Sequence, residues 1–235
     1  MNVTSLPKSL PPGRIVESYG RSGILVWMSD GKLLDADEWW RRLYADRSRT
    51  GLYPVLLEYT EDMYEFDVGR DEPVDAAAYF RDAWKPSSWP SFPAWPGLAV
   101  PAAAGAAPDV CAGEEATELV HEDRARCLAL VQAERGSDVP SALNWPGMGN
   151  HMGKHELSGV LRSWEDRFGA RLVGFGHGDL YLSAAIPPKN LHEAHVLAGE
   201  HYLACPDWFH NNFDDWEDTY PEELLTSRQW RLWWD

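Results

Sequence analysis

Cysteine is scarce: Cys111, Cys127 and Cys205 are all that 235 residues contain, and no two form a C-x-x-C pair. An odd, widely spaced set argues against a disulfide framework or a structural zinc site and points to a reducing compartment. Long apolar runs are also missing, since none approaches the ~20 residues of a membrane-spanning helix. The start, "MNVTSLPKSLPPG", has no apolar stretch of the kind an export signal carries, so the expected location is the cytoplasm. "NVT" at Asn2 has the form of a glycosylation acceptor, which has no use without export. Positive charge is short as well, with 21 Lys and Arg against 37 Asp and Glu, for a net charge of −16. Such a chain repels phosphate backbones and anionic lipid, which disfavours nucleic-acid and membrane-surface binding, and attracts a basic protein or a cationic ligand. No P-loop, G-x-S-x-G or H-E-x-x-H pattern is present, so no reaction is declared.

What the chain has in quantity is tryptophan, 13 in all, three of them in the closing "SRQWRLWWD". In a strand Trp230, Leu232 and Trp234 share one face while Arg231 and Trp233 point the other way. Helical spacing fits Trp230, Trp233 and Trp234 nearly as well, but two bulky neighbours at the end favour a sheet, and a closing core strand is expected. Upstream, Ile24 to Met28 and "LYPVLLEY" read as strands, with "YEFDV" a weaker third. Between the first two, Ala36, Trp39, Trp40, Leu43 and Tyr44 form one helical stripe closed by Gly51. "EPVDAAAYFRDAW" gives a second helix. Prolines at 86, 90, 93, 96, 101 and 108 then make a connector over 86–110, with Trp89, Phe92 and Trp95 against a domain surface and "AVPAAAGAAPD" as its mobile part.

Beyond the connector, "CLALVQAE" reads as a strand. Leu157, Val160, Leu161, Trp164 and Phe168 mark a helix stopped by Gly169. "ARLVGFG" and "LYLSAAI" form a hairpin. "KNLHEAHVLAGEHYLAC" is a helix with Leu191, Ala194, His195, Ala198 and Tyr202 on one stripe, and another short helix starts from Pro221. Both halves run strand, helix, strand, strand, helix. The expected class is therefore α+β: two ferredoxin-like α/β sandwich halves from a degenerate β-α-β-β-α duplication, the second closed by the Trp-rich strand. The expected divisions are 1–85, the connector 86–110, and a C-terminal domain over 111–235.

"TGLYPVLL", "WPGLA", "VLRSWEDRFGARLVGFG", "LYLSAAIPP", "CPD" and "WRLWWD" together resemble an uncharacterised bacterial family, domain of unknown function 4253. The resemblance implies a cytosolic bacterial protein whose second half is the defining domain. It carries no established activity and no catalytic residues. After "CPD" the chain departs toward more acidic residues than the family pattern implies.

The candidate constellations are few. "GFGHGD" lies between two strands, so its glycines suit a turn better than a phosphate cradle. His151 and His155, four apart, would chelate a metal if both were helical, but Gly147, Gly149 and Gly153 suit a polar loop that caps the following helix. His192, His195, His201 and His210 do not share a face, and His195 reads as a core histidine. Cys205 near His201, Asp207 and His210 admits a Cys–His pair, without a local signature for it. The remaining stretch, "DWFHNNFDDWEDTYPEE", has seven carboxylates over residues 207–223 and no Lys or Arg. It is either a solvated acidic loop with its aromatics tucked under the sheet, or a recognition surface. The second reading assigns Trp208, Phe209, Asp214, Asp215, Trp216 and Glu217 to binding a basic protein partner, possibly in an immunity-like role, with no cofactor, no catalytic residue and no resident metal. A metal- or cysteine-dependent enzyme and a binder of a cationic small ligand are the alternatives.

Overall fold

The computed structural model describes residues 6–16, 26–58, 74–85, 92–124, 126–143, 145–148, 151–212 and 216–235. In chain order the first half gives β1 (Gly13–Val16), β2 (Val26–Ser29), α1 (Ala36–Ala45), α2 (Arg47–Thr50), β3 (Leu52–Leu57) and α3 (Ala76–Ala83). The weak strand expected at "YEFDV" lies outside the described residues. Next come α4 (Pro108–His121), β4 (Cys127–Gln132), a 3-10 turn (Gly136–Asp138), α5 (Val139–Ala142) and α6 (Lys154–Phe168). The chain closes with β5 (Arg171–Phe175), β6 (Asp179–Ser183), α7 (Leu191–Ala204), α8 (Pro206–Asn212), α9 (Trp216–Leu224) and β7 (Gln229–Trp233).

The class is α+β, but the strands do not divide into two sandwiches. One seven-stranded sheet runs β1-β2-β4-β3-β5-β6-β7. Strand β4, from the second half, is antiparallel to both β2 and β3 and separates them. The unit β2-α1-β3 is thus a split β-α-β, the ferredoxin-like device, and it is assembled across the halves rather than within the second one. Burial explains the choice: all six residues of β3 and five of the six in β4 are buried, so both strands need neighbours and cover on every side. Pro54 is tolerated inside β3 because β5 pairs with that strand only at Leu56 and Leu57, while the Pro54 carbonyl accepts from Trp40 Nε1.

Helices α1 and α4 lie on one face of the sheet, and α6 and α7 cover the other. The predicted stripe of α6 is buried throughout, and Gly169 ends the helix at φ 60°, the left-handed cap that glycine adopts without strain. Gly159 in the same helix lies so close to the chain before α3 that a Cβ would come 2.0 Å from the Val74 carbonyl oxygen. Strand β7 pairs with β6 from Gln229 to Trp233, as expected for a closing strand. Trp230, Leu232 and Trp234 are buried toward α6 and α7, with Trp234 Nε1 donating to the Ala204 carbonyl at 2.9 Å. Gln229, Arg231 and Trp233 therefore face α4.

Two expectations change here. Residues 97–107 are strapped along 185–189: Ala102 N, Ala106 N and Lys189 N bond to the carbonyls of Pro187, Ala185 and Val100 at 2.8, 2.9 and 2.9 Å. Backbone donors and acceptors with partners of this kind do not form a loose tether. In α7 the buried residues are Ala194, Val196 to His201 and Ala204, whereas Leu191 is exposed and His195 half-buried. The helix is enclosed on several sides by α3, α6, α8 and α9, so no single apolar stripe orients it.

Candidate functional site: an acid-lined cleft at the sheet edge

The segment 207–223 is mostly helical. Helices α8 and α9 fold round the β7 edge, held there by Cys205 Sγ to the Trp233 carbonyl at 2.8 Å and Asp235 N to Asp207 Oδ2 at 3.1 Å. Covering an edge strand in this way prevents it from pairing with another chain. Phe209 is 0% exposed and Trp216 8%. Trp216 stacks on Tyr202 with ring centres 4.8 Å apart, and Phe209 packs against Trp216 at 4.6 Å and Tyr220 at 5.1 Å. These two rings fill the space between α7, α8 and α9. In this fold they supply no contact area to a partner, which corrects their reading as anchors. Trp208 is half-buried with the Arg231 guanidinium 5.4 Å from its ring centre, and Glu217 is half-buried. Asp214 and Asp215 lie outside the described residues.

Trp208 forms one wall of a cavity of about 210 Å³. The opposite wall is α4, which turns Glu115, Glu118 and Glu122 toward β6 and β7 at helical spacings of three, four and seven. Arg124, Tyr181, Gln229, Arg231 and Glu223 complete it. Both arginines already have carboxylate partners: Arg124 pairs with Glu122, and Arg231 Nε donates to Asp179 Oδ1 at 2.7 Å. Among the described residues Glu118 and Glu223, both exposed, have no ion-pair partner. Glu115 differs from them. It is 6% exposed, and its Oε2 has no hydrogen-bond partner among the described residues. Burial pushes its carboxyl up to about 7, the nearby charges of Glu118 and Glu122 push the same way, and a hydrogen bond from Gln229 and the Arg124 charge oppose the shift. A strongly perturbed carboxyl in a cleft makes the cleft a candidate site.

A larger hollow of about 460 Å³ lies between α1 and α4. Both its arginines are engaged within the fold: Arg41 bonds Asp37, Thr117 and the Gly113 carbonyl, while Arg47 lies on the Tyr44 ring and bonds Asp109 at 2.9 Å, and Glu114 is exposed at the rim. It therefore reads as a seam between two helices.

The histidines and cysteines are dispersed through the fold. His151 Nε2 lies 2.8 Å from Asp207 Oδ2, tying the chain before α6 to α8, and His155 sits in the first turn of α6. Among the described residues no group of three or more His, Cys, Asp and Glu stands where it could hold a metal ion. Burial pushes the Cys205 thiol up to about 12, against hydrogen bonds with the Trp208 and Trp233 backbone, so at neutral pH it is a protonated core thiol. His201, not His195, is the core histidine of α7. Its ring lies between Trp164 and Trp230 with centres 4.6 and 4.7 Å away, and its Nδ1 meets the Tyr220 hydroxyl at 2.9 Å.

Beside it is a buried charge that periodicity did not reveal. Glu200, fully buried on α7, accepts from Arg167 Nη1 and Nη2 at 3.0 and 2.7 Å, Trp164 Nε1 at 2.8 Å and Ala99 N at 2.8 Å. Arg167 Nη1 also donates to the Ala99 carbonyl at 2.8 Å. Every carboxylate oxygen is engaged, so this network fastens the 97–107 strap to α6 and α7 and leaves nothing for a ligand. The sequence signals for it were "WPGLA" and "SWEDRFG", quoted above as motifs without a role.

Among the described residues no helix is long and apolar enough to cross a membrane. No curated protein and no solved structure matches the chain. The cleft's α4 wall precedes, and its β6, β7, α8 and α9 walls lie within, residues 127–235, which match the family described as Domain of unknown function (DUF4253).

Proposed function

We propose that this protein is a non-enzymatic, cytoplasmic binding protein that captures a basic protein partner on the acidic face where α4 meets the α8–α9 segment. One observation supports the reading: carboxylates from two separate elements, Glu118 on α4 and Glu223 on α9, flank one cleft without an ion-pair partner among the described residues. Trp208 supplies an aromatic surface beside them. Glu217 and the acidic pair Asp214 and Asp215 belong to the same segment and extend its charge. Acids that no internal cation neutralises act at long range, steering an oppositely charged surface toward the cleft. The cation-binding alternative uses the same charges. A basic protein fits better, because the acids spread over two helices instead of lining one enclosed ligand cage.

The test is capture and kinetics together. Wild-type protein and a Glu118→Gln, Glu223→Gln variant would be used as bait at low and high salt, with captured proteins identified by mass spectrometry. The expected result is a basic protein retained by the wild type at low salt and depleted by the variant, with unchanged melting temperature. Equal capture by both baits at low salt would refute the acidic face as the binding surface.

A further inference from the structure

We propose that the cleft between α4 and β7 seats one lysine or arginine side chain of the basic partner, and that Glu115 is the carboxylate that receives it. The inference rests on the binding reading above and adds to it the point of engagement.

The cleft has room for a side chain and little more. Its volume of about 210 Å³ lies below the roughly 300–1,000 Å³ of cavities that hold drug-sized ligands or cofactors. What it lacks is a donor for the second oxygen of Glu115. Glu115 lines the cavity, and its enclosed Oε2 has no hydrogen-bond partner among the described residues, an arrangement that costs free energy. The cations within reach are committed elsewhere, Arg124 to Glu122 and Arg231 to Asp179. Glu118 and Glu223 at the exposed rim would draw a cation inward, and Leu119 and Trp208 would cover the aliphatic stem of a long side chain.

The same surroundings couple binding to a proton. Glu115 is faced by Glu118 and Glu122 from α4, Arg124 just beyond it, Tyr181 from β6, Gln229 and Arg231 from β7, and Tyr220 and Glu223 from α9. Burial holds its carboxyl up to about 7, so both its protonated and ionised forms are populated near neutral pH. An arriving ammonium or guanidinium favours the carboxylate, so the carboxyl proton leaves to solvent as the new N–H···O bonds form. Only the ionised fraction is competent, so apparent affinity should rise roughly tenfold from pH 6 to pH 8 and level off above.

Amide-capped tetralysine and tetra-arginine peptides are suitable probes, with tetra-(Nε-acetyl)lysine as the uncharged control. Calorimetry in two buffers of different ionisation enthalpy counts the protons released. The wild type should bind a charged peptide with the roughly tenfold rise and release about half a proton at pH 7. Glu115→Gln, of the same shape, should lose both the pH dependence and the released proton. In the unsubstituted protein the Glu115 carboxyl carbon resonance should titrate at lower pH when the charged peptide is present, which keeps the test independent of any folding defect in the variant. Equal affinity and proton release in Glu115→Gln, or a Glu115 resonance that the peptide does not move, would overturn the proposal. If the peptides bind in a salt-dependent way that Glu118→Gln and Glu223→Gln weaken but Glu115→Gln does not, the acidic face stands and this seat falls. Absence of any salt-dependent binding removes both.

Discussion

Glu200→Gln is the substitution with the most sharply defined consequence. The carboxylate receives four donors: two from Arg167, the Trp164 indole and the Ala99 amide. A glutamine keeps the shape but turns one oxygen into an NH₂ group, so two of those donors would face another donor. It also leaves the Arg167 guanidinium, 16% exposed, without its counter-charge. Breaking a buried pair by removing one partner costs about 3–5 kcal/mol. Against a total stability of about 5–15 kcal/mol, that is a large share. For a chain of this size it corresponds to a fall in melting temperature of about 6–20 °C. Because the same carboxylate holds Ala99, the loss should also be local. Hydrogen exchange at Ala99 and Ala102 should accelerate beyond the global change, while β5 and β6 amides follow the global change only. Urea unfolding and exchange by NMR read both effects. A loss below about 1 kcal/mol, or strap amides that keep their protection, would show that the network is not what fastens 97–107 to the helices. Converting both partners to apolar residues, Arg167→Met with Glu200→Leu, should recover part of the loss.

Two further expectations follow from burial. Trp234→Ala removes a ring that packs against Trp145 at 5.7 Å and leaves the Ala204 carbonyl without its donor, so it should cost about 3–5 kcal/mol in urea unfolding; melting with the wild type would refute the closing-strand assignment. Burial, helped by the Arg167 charge, holds the His201 imidazole down to about 3, below its ordinary 6.5. The unfolded chain takes up that proton first, so stability should be full above pH 6.5 and fall as pH drops toward 3, by up to about 1.4 kcal/mol per pH unit. Glu115 acts in the opposite sense: its raised carboxyl favours the folded state below 4.5, and that contribution is lost as pH rises through 7. The acid-side loss should therefore be steeper in Glu115→Gln and flatter in His201→Phe, measured by melting temperature from pH 7 to pH 4.

The sequence was legible where one face meets one layer. The stripe of α6 and the alternation of β7 stand at the expected residues because each has a single buried side, while β5 and β6, buried on both faces, were legible as two apolar runs joined by a short turn. The interleaving of β4 between β2 and β3 was not legible, since strand order depends on which buried strands need neighbours and not on local pattern. Helix α4 was hidden by its content: alanine, glycine and glutamate after a run of prolines, although Pro108 at its first position and Asp109 in its first turn are start signals. Strand β1 is short and mostly exposed and leaves little apolar trace. In the candidate site Trp208 lies at the cleft wall, while Phe209 and Trp216, which an acidic loop would leave at the surface, are buried. Packed as helices, the same residues turn their rings inward. Glu115 and Glu200 could not be told from solvated glutamates, because what distinguishes them is a partner, or the lack of one, supplied by distant residues.

The central claim is that unneutralised carboxylates on α4 and α9 draw in a basic partner, and association kinetics test it most directly. The partner recovered by capture would be mixed with wild type and with the Glu118→Gln, Glu223→Gln variant in stopped flow at low and high salt. The account predicts association about tenfold slower for the variant at low salt, converging with the wild type at high salt where exposed charges are screened. Identical rates and identical salt dependence for the two proteins would contradict it.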